Sequence, residues 1–309
     1  MKNPVFDTAK PWAKLIFTAF LMSVSFLIFF LLGQLLAGIV YGVSSEAFDN
    51  NFLMQPENIG RLKILQAFQS VGLFVAPALL AAFLFSSRTN NYLYLNKKTP
   101  ILSLAIVFLL IISVQPLVNL LAEINQTLTF PDALQGLENK LKSAEEHAEK
   151  LTKLFLLSDK SLTAFFVNLI IVAVIPAVGE ELLFRGILQR IFKNWTGSAH
   201  AAVWIAAFLF SAVHFQFYGF LPRLLLGALF GYLLIISGNM WLPIAAHFLN
   251  NALGVAYYHF FYEEKNIETF EKIGTESNSG MWLPLSFFLT GLFLFLIYKI
   301  HHSKTADRE

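Results

Sequence analysis

Long apolar runs alternate with short polar stretches over most of the chain. The runs cover residues 15–41, 65–85, 101–121, 162–178, 201–217, 221–236, 241–258 and 283–300. An α-helix needs about 20 apolar residues to cross a bilayer. The pattern therefore predicts an all-α, polytopic membrane bundle of about eight transmembrane helices, the sixth of which is short.

Residues 123–160 interrupt this pattern with mixed charge. Apolar side chains recur there at steps of three and four residues, at Leu134, Leu137, Leu141, Ala144, Ala148, Leu151 and Phe155. This period is typical of an amphipathic helix. We predict one interfacial amphipathic helix that lies on the membrane or caps the bundle. It is either a plain connector or a gate for substrate.

Composition supports a membrane protein. Hydrophobic residues make up 56% of the chain and charged residues 14%, whereas a typical soluble domain has about 25% charged residues. The net charge of +2 gives no reason to expect a nucleic-acid partner. The chain has no cysteine, which excludes disulfides, thiolate nucleophiles and cysteine-bound metals.

Basic residues cluster at one side of the predicted bundle. The clusters lie at the N-terminus, at 88–98, at 185–193 and at the C-terminus. Lys and Arg near span ends favour the cytoplasmic side. We therefore expect an integral multi-pass protein of a bacterial cytoplasmic membrane, with both termini in the cytoplasm.

Three charged residues stand at the end of the fourth apolar run, in Gly-Glu-Glu-Leu-Leu-Phe-Arg-Gly. Charges at membrane depth are costly, and they are usually paired and functional. Glu181 and Arg185 are four residues apart, so a helix brings them together as an ion pair. Glu180 lies about 100° round the helix without a local counter-ion, which suits a general base. A charge cluster at the membrane edge is the alternative.

Two histidines and an asparagine add to this inventory. His214 lies late in the fifth run, and His247 and Asn251 share one helical face in the seventh. A carboxylate with a histidine can activate water, and a histidine with an asparagine can hold an oxyanion. Alternatively, Glu180, His214 and His247 could bind a divalent metal such as zinc. The sequence has no His-Glu-x-x-His, Gly-x-Ser-x-Gly or Walker motif.

Three short motifs occur in order on separate apolar runs. They are Glu-Glu-x-x-x-Arg at Glu180, Glu181 and Arg185, Phe-x-x-x-His at Phe210 and His214, and His-x-x-x-Asn at His247 and Asn251. At these positions the sequence resembles the CAAX protease and bacteriocin-processing (CPBP) family of intramembrane proteases, which includes the type II CAAX prenyl endopeptidases. The resemblance covers about residues 162–256.

The resemblance implies a helical fold with a chamber that opens toward the cytosol and the side of the bilayer. Glu180 with His214 would activate water, His247 with Asn251 would stabilise the oxyanion, and Glu181 with Arg185 would orient them. The substrate would be a membrane-associated peptide or protein, either prenylated or a peptide precursor. A non-proteolytic scaffold or immunity-type binding protein is the alternative function. A proton-coupled transporter would require a symmetry between halves that the sequence lacks.

The resemblance and the apolar pattern together divide the chain into four parts. Residues 1–122 form the N-terminal transmembrane helices, and 123–160 form the extramembrane insertion. Residues 161–262 form the protease-like catalytic core. Residues 263–309 form a polar loop and the last transmembrane helix.

Overall fold

The computed structural model describes residues 4–43, 50–53, 55–262, 273, 275 and 280–306. Over these residues the chain forms helices and turns and no strand, which confirms the all-α prediction. Most of the predicted polar loop after residue 262 lies outside the described residues. The longer helices are α1 (Pro11–Tyr41), α2 (Pro56–Phe85), α3 (Ile101–Thr127), α4 (Gln135–Leu157), α5 (Leu162–Thr196), α6 (Ala199–Ala212), α7 (Phe220–Ser237), α8 (Trp241–Phe260) and α9 (Trp282–Ala306).

Six helices of the described chain are long and apolar enough to cross a membrane: α1, α2, α3, α5, α9, and α7 with the turn before it. The protein is therefore an integral membrane protein. The other two predicted spans differ from expectation. The helix α6 has 14 residues, a length of about 21 Å, which is less than the apolar thickness of about 30 Å. The helix α8 has 20 residues, but His247, Asn250 and Asn251 interrupt its apolar character.

Two of the spanning helices widen just before a proline. The helix α2 has a π-helical segment at Val71–Val75 before Pro77, and α5 has one at Leu169–Val174 before Pro176. Proline has no N–H, and its ring collides with the carbonyl four residues earlier. A wider turn relieves this collision. A second π segment of α5, Leu182–Leu188, follows the two glutamates directly.

The helices α2 and α5 touch at Gly179, beside Glu180. A Cβ atom on Gly179 would lie 2.9 Å from Cβ of Phe74, 2.8 Å from Cγ2 of Val75 and 3.3 Å from the backbone N of Val75. Atoms this close leave no room for a side chain. Glycine therefore sets the distance between the two helices at the depth of the charged residues.

Both described chain ends lie at the same end of the bundle. The backbone N of Phe6 donates to the carbonyl of Leu84 (3.1 Å), close to the end of α2. At the other chain end, Nε2 of His301 lies 3.2 Å from Oγ of Ser103, close to the start of α3. The segment 88–98, with its basic residues, joins these two helices. We call this end of the molecule the basic end.

The amphipathic helix α4 caps the opposite end of the bundle, one of its two predicted positions. Glu138 accepts hydrogen bonds from the backbone N of Phe130 (3.2 Å) and the hydroxyl of Tyr218 (3.2 Å), and it pairs with Lys142 (2.8 Å). The hydrogen bonds from Lys142 and from the Phe130 N–H hold the pKa of Glu138 below its usual range. The anchoring carboxylate is therefore ionised at neutral pH.

We predict that Gly179→Ala lowers the melting temperature of the detergent-solubilised protein. The added methyl group must push α2 and α5 apart, and such overpacking costs about 1–3 kcal/mol. Gly291→Ala in α9 is the matched control, because nothing lies within 4 Å of a Cβ at that position. Equal melting temperatures for the two variants would contradict a close α2–α5 contact.

Candidate active site

Glu181 is the most enclosed group of the site. Its side chain is 0% exposed, and its Oε1 atom lies 2.9 Å from Nη1 of Arg185. The same oxygen lies 2.9 Å from Nδ1 of His247. The i, i+4 pair predicted from spacing is therefore present, and it also contacts one of the two predicted histidines.

Arg185 is held by aromatic rings and by the backbone of α7. Its guanidinium carbon lies 4.6 Å from the ring centre of Phe210, 5.5 Å from that of Phe230 and 5.9 Å from that of Phe184. Its Nη2 donates to the carbonyl of Gly227 (2.9 Å). Ring faces attract a cation, so the buried charge is stabilised on several sides.

A second donor from α5 reaches α7 one turn away. Nε2 of Gln189 donates to the carbonyl of Gly231 (3.3 Å), just as Arg185 donates to Gly227. The two glycines are four residues apart and form a Gly-x-x-x-Gly motif, which allows close approach between membrane helices. A Cβ on Gly227 would lie 3.2 Å from Cα of Ala207 in α6. The motif therefore lets α5, α6 and α7 meet beneath the site.

His247 lies between the two glutamates. Its Nδ1 contacts Glu181, and its Nε2 lies 3.9 Å from Oε2 of Glu180. Its ring stacks on Phe230 with a centroid distance of 5.3 Å, and it meets Phe210 edge-on at 5.8 Å. A carboxylate accepts hydrogen bonds, so Nδ1 of His247 carries a proton and donates a hydrogen bond to Glu181. This contact fixes the ring with Nε2 toward Glu180.

His214 lies outside a helix, contrary to its predicted place in the fifth span. The helix α6 ends at Ala212, and Phe215 adopts a left-handed φ of 52°. Nδ1 of His214 donates to the carbonyl of Phe210 (2.7 Å). The ring centre of Phe210 lies 5.2 Å from His214 and 5.8 Å from His247. Because α6 stops early, both histidines flank the same phenylalanine.

Asn251 hydrogen-bonds a backbone carbonyl of α5 that lacks its usual helical donor. In an α-helix the carbonyl of Val172 would accept from the N–H of residue 176, which is a proline without an N–H. Nδ2 of Asn251 donates to this carbonyl instead (3.1 Å). Oδ1 of Asn251 accepts a hydrogen bond from Asn250 (3.3 Å). One amide N–H of Asn251 therefore has a structural role.

Four of the six predicted site residues line one cavity of about 520 Å³: Glu180, His214, His247 and Asn251. Glu181 and Arg185 lie behind its wall. The helix α4 also contributes to the lining, with Ala148, Leu151, Thr152, Phe155 and Leu156. The cavity thus extends from the glutamates toward the end of the bundle that α4 covers.

The residues at the site do not form the three-ligand set that zinc needs. No three His, Cys, Asp or Glu side chains of the described chain lie close enough together to hold a metal ion. The alternative metal site of Glu180, His214 and His247 is therefore not supported.

Some site residues were not anticipated from the sequence. Arg223 and Gln216 line the cavity beside His214, and Phe230 stacks on His247. A Gly-x-x-x-Gly spacing in an apolar run is a recognised signal for helix contacts, so Gly227 and Gly231 could have been found. Arg223 lies at the start of a short apolar run, but its position in the sequence does not predict that its side chain lines the cavity.

Together, these features define the class: an all-helical membrane protein with a buried Glu-Glu-Arg-His cluster at a cavity. Residues 162–253 match the family model described as "Type II CAAX prenyl endopeptidase Rce1-like". The matched segment includes all six predicted site residues and confirms the resemblance. No solved structure matches the chain.

Two curated relatives are similar over part of the chain. One, from Bacillus subtilis (strain 168), is named "Uncharacterized protein YpbD" and is 28% identical over 119 residues, which are 36% of this chain and 58% of the relative. The other, from Escherichia coli, is named "Uncharacterized 24.3 kDa protein" and is 32% identical over 113 residues, 35% of this chain and 50% of the relative. The chain thus spans about half the length of the curated relatives it matches.

We predict that two substitutions in the cluster differ in their effect on stability. Arg185→Met should destabilise the fold by about 3–5 kcal/mol, because it leaves the Glu181 carboxylate buried without its cation. Glu180→Gln should melt close to the wild type, because Glu180 borders the cavity and forms no ion pair with Arg185. Thermal melting in detergent tests this, and the reverse order would refute the division of roles.

Proposed function

We propose that the chain is an intramembrane endopeptidase that hydrolyses a peptide bond of a membrane-associated or lipid-modified substrate. The observation that carries the proposal is the 3.9 Å separation of Glu180 and His247 at the cavity wall. The gap is too wide for a direct hydrogen bond but suits one shared water or substrate oxygen. The match of residues 162–253 to an endopeptidase family supports the same reaction class.

The proposed role of His247 determines where its protons must lie. Its Nδ1–H is held by Glu181, and its Nε2 lies between Glu180 and the cavity. To donate to an oxyanion, the ring must also carry a proton on Nε2 when the tetrahedral intermediate forms.

The proposed reaction begins with a water molecule bound to Glu180. As the water oxygen attacks the scissile carbonyl carbon, Glu180 takes its proton as general base. Nε2 of His214 accepts a second hydrogen bond from the water, since the Nδ1 proton of that ring is engaged by Phe210. The carbonyl oxygen becomes an oxyanion, which Nε2–H of His247 and the second amide N–H of Asn251 stabilise. Glu180 then passes its proton to the leaving amine.

We predict that Glu180→Gln and His247→Ala each lower kcat by at least about 10²-fold, because each removes a group that acts in the transition state. The assay is cleavage of a quenched peptide library by the purified protein in detergent. Glu123→Gln is the matched control, because Glu123 is exposed and outside the cavity.

Two outcomes would redirect the proposal. If the Glu180 and His247 variants cleave as well as the wild type, the catalytic roles proposed for these two residues are wrong. If the wild type cleaves nothing across the library, a non-proteolytic scaffold or immunity-type binding function is the better interpretation.

We also propose that the basic end faces the cytoplasm of a bacterial cell, with both termini there. Asp7 is the only acidic residue described at that end, whereas Lys10, Lys14 and the 88–98 segment are basic, and Lys and Arg favour the cytoplasmic side. The cavity extends the other way, toward α4. This orientation conflicts with a chamber open to the cytosol, and it favours a peptide precursor over a prenylated cytosolic protein as substrate.

Single-cysteine labelling tests the orientation cleanly, because the chain has no native cysteine. Ser143 in α4 and Asn96 at the basic end are both exposed. We expect a membrane-impermeant maleimide to label Ser143→Cys in intact cells and Asn96→Cys only after lysis. The opposite labelling pattern would mean that the cavity extends toward the cytoplasm.

A further inference from the structure

A separate cavity of about 420 Å³ lies at the basic end, between the segment that precedes α3 and the first turns of α8. We call it the basic-end cavity. It shares no lining residue with the cavity that contains Glu180, so the proposed reaction does not use it. Two lysines and a threonine line it together with apolar and aromatic side chains: Lys97, Lys98, Thr99, Leu104, Trp241, Ile244, Ala245 and Phe248.

Lys97 and Lys98 supply the charge of the basic-end cavity. Both side chains are exposed, and no Asp or Glu of the described chain lines the cavity with them. Lys97 extends over the end of α7, because a Cβ on Gly238 would lie 2.7 Å from its Nζ atom. Oγ1 of Thr99 accepts a hydrogen bond from Nδ2 of Asn239 (3.0 Å), so its own hydrogen can be donated to a ligand. The cavity therefore offers two cations and a hydroxyl donor to an anion.

The side chain of Asn239 fixes the backbone from which these donors extend. Asn239 is fully buried. Besides Thr99, its Nδ2 contacts the carbonyl of Lys98 (3.4 Å), and its Oδ1 accepts from the backbone N of Trp241 (3.0 Å). One buried amide thus ties the lysine segment to the first residue of α8. The polar and apolar parts of the lining are therefore held next to each other.

The apolar part of the lining follows the first turns of α3 and α8. Trp241 begins α8 and is 45% exposed, and tryptophan is enriched where membrane helices meet the interface. Phe248 lies seven residues further along α8, a rise of about 10 Å. A molecule in this cavity meets positive charge at the end of the bundle and apolar side chains along the helices.

We propose that the basic-end cavity binds a phospholipid of the bilayer whose headgroup carries a net negative charge. The two lysines and Thr99 bind the headgroup phosphate, and the upper part of an acyl chain lies against Leu104 and Phe248. Basic pockets between transmembrane helices suit anionic lipid headgroups. A soluble anion would leave the apolar lining unused, and an uncharged lipid would leave the lysines unused. An anionic phospholipid matches both parts.

The test titrates detergent-solubilised full-length protein with phosphatidylglycerol or with phosphatidylcholine of the same acyl chains and follows the melting temperature. Half-maximal stabilisation should require at least about tenfold less phosphatidylglycerol, because each lysine near an anionic headgroup favours binding. The double variant Lys97→Gln/Lys98→Gln should remove this difference between the two lipids. A wild-type protein that does not distinguish the two lipids would overturn the inference.

A second double variant separates the site from overall charge. Lys10→Gln/Lys193→Gln removes the same two charges from exposed positions at the same end of the molecule, outside the cavity. It should retain the wild-type preference for phosphatidylglycerol. An equal loss of preference in both double variants would show that net charge alone attracts the lipid, and the proposed site would be wrong.

Two further variants test the acyl-chain part of the site. Ala245 is half-buried and lines the cavity, so Ala245→Trp should fill the space and weaken phosphatidylglycerol binding although both lysines remain. Phosphatidylglycerol with brominated acyl chains should quench the tryptophan fluorescence of the wild type in a saturable way, and Trp241→Phe should remove the saturable part. Saturable quenching that is unchanged in Trp241→Phe would place the lipid elsewhere and overturn the inference.

Glycerol phosphate distinguishes a lipid headgroup from a soluble phosphate ester. It carries the phosphate but no acyl chain, so it should not raise the melting temperature at concentrations at which phosphatidylglycerol saturates the protein. Stabilisation by glycerol phosphate equal to that by the lipid would identify a site for a soluble anion and overturn the lipid assignment.

Discussion

The burial of the Glu181 carboxylate is the constraint on which the rest of the site depends. A charged oxygen with no exposure requires a cation at short range, and the same oxygen contacts Arg185 and His247 at 2.9 Å each. Arg185 in turn needs aromatic faces and a carbonyl around it. Two helices, α5 and α8, are therefore joined through one oxygen atom, and Arg185 extends the contact to α7. The rotation of α8 that directs His247 toward Glu180 follows from the contact with Glu181.

Backbone carbonyls that accept from side chains of other helices are a second set of contacts that hold the site together. At membrane depth a carbonyl without a donor costs free energy. Pro176 lies four residues after Val172 and has no N–H to offer the Val172 carbonyl. Asn251 donates to this carbonyl instead. The carbonyl of Gly227 accepts from the guanidinium of Arg185, and the absence of a side chain on Gly227 lets Ala207 of α6 lie close. Sequence features that break helix regularity thus become attachment points between helices.

The sequence was sufficient to predict what depends on local spacing. The pairing of Glu181 with Arg185 follows from four-residue periodicity, and the spanning helices follow from the length of apolar runs. Contacts between distant segments were not predictable in this way. The end of α6 at Ala212 depends on the turn that packs beneath α4, and the direction of Arg223 depends on Gly219 and Gln216. Such features are set by tertiary packing, which has no period along the chain.

The amphipathic insertion also bears on how water reaches a buried site. A second cavity of about 480 Å³ lies outside the first and is lined by polar residues of α4, including Glu145, Glu146 and Glu149. Thr152 and Gln216 line both cavities. The proposed hydrolysis consumes water, which the hydrocarbon layer does not supply, and the outer polar cavity is the neighbouring space from which water would enter the inner one. The apolar face of α4 meanwhile closes the inner cavity through Leu151 and Phe155. The polar face of α4 therefore lines the outer cavity, and its apolar face lines the inner one.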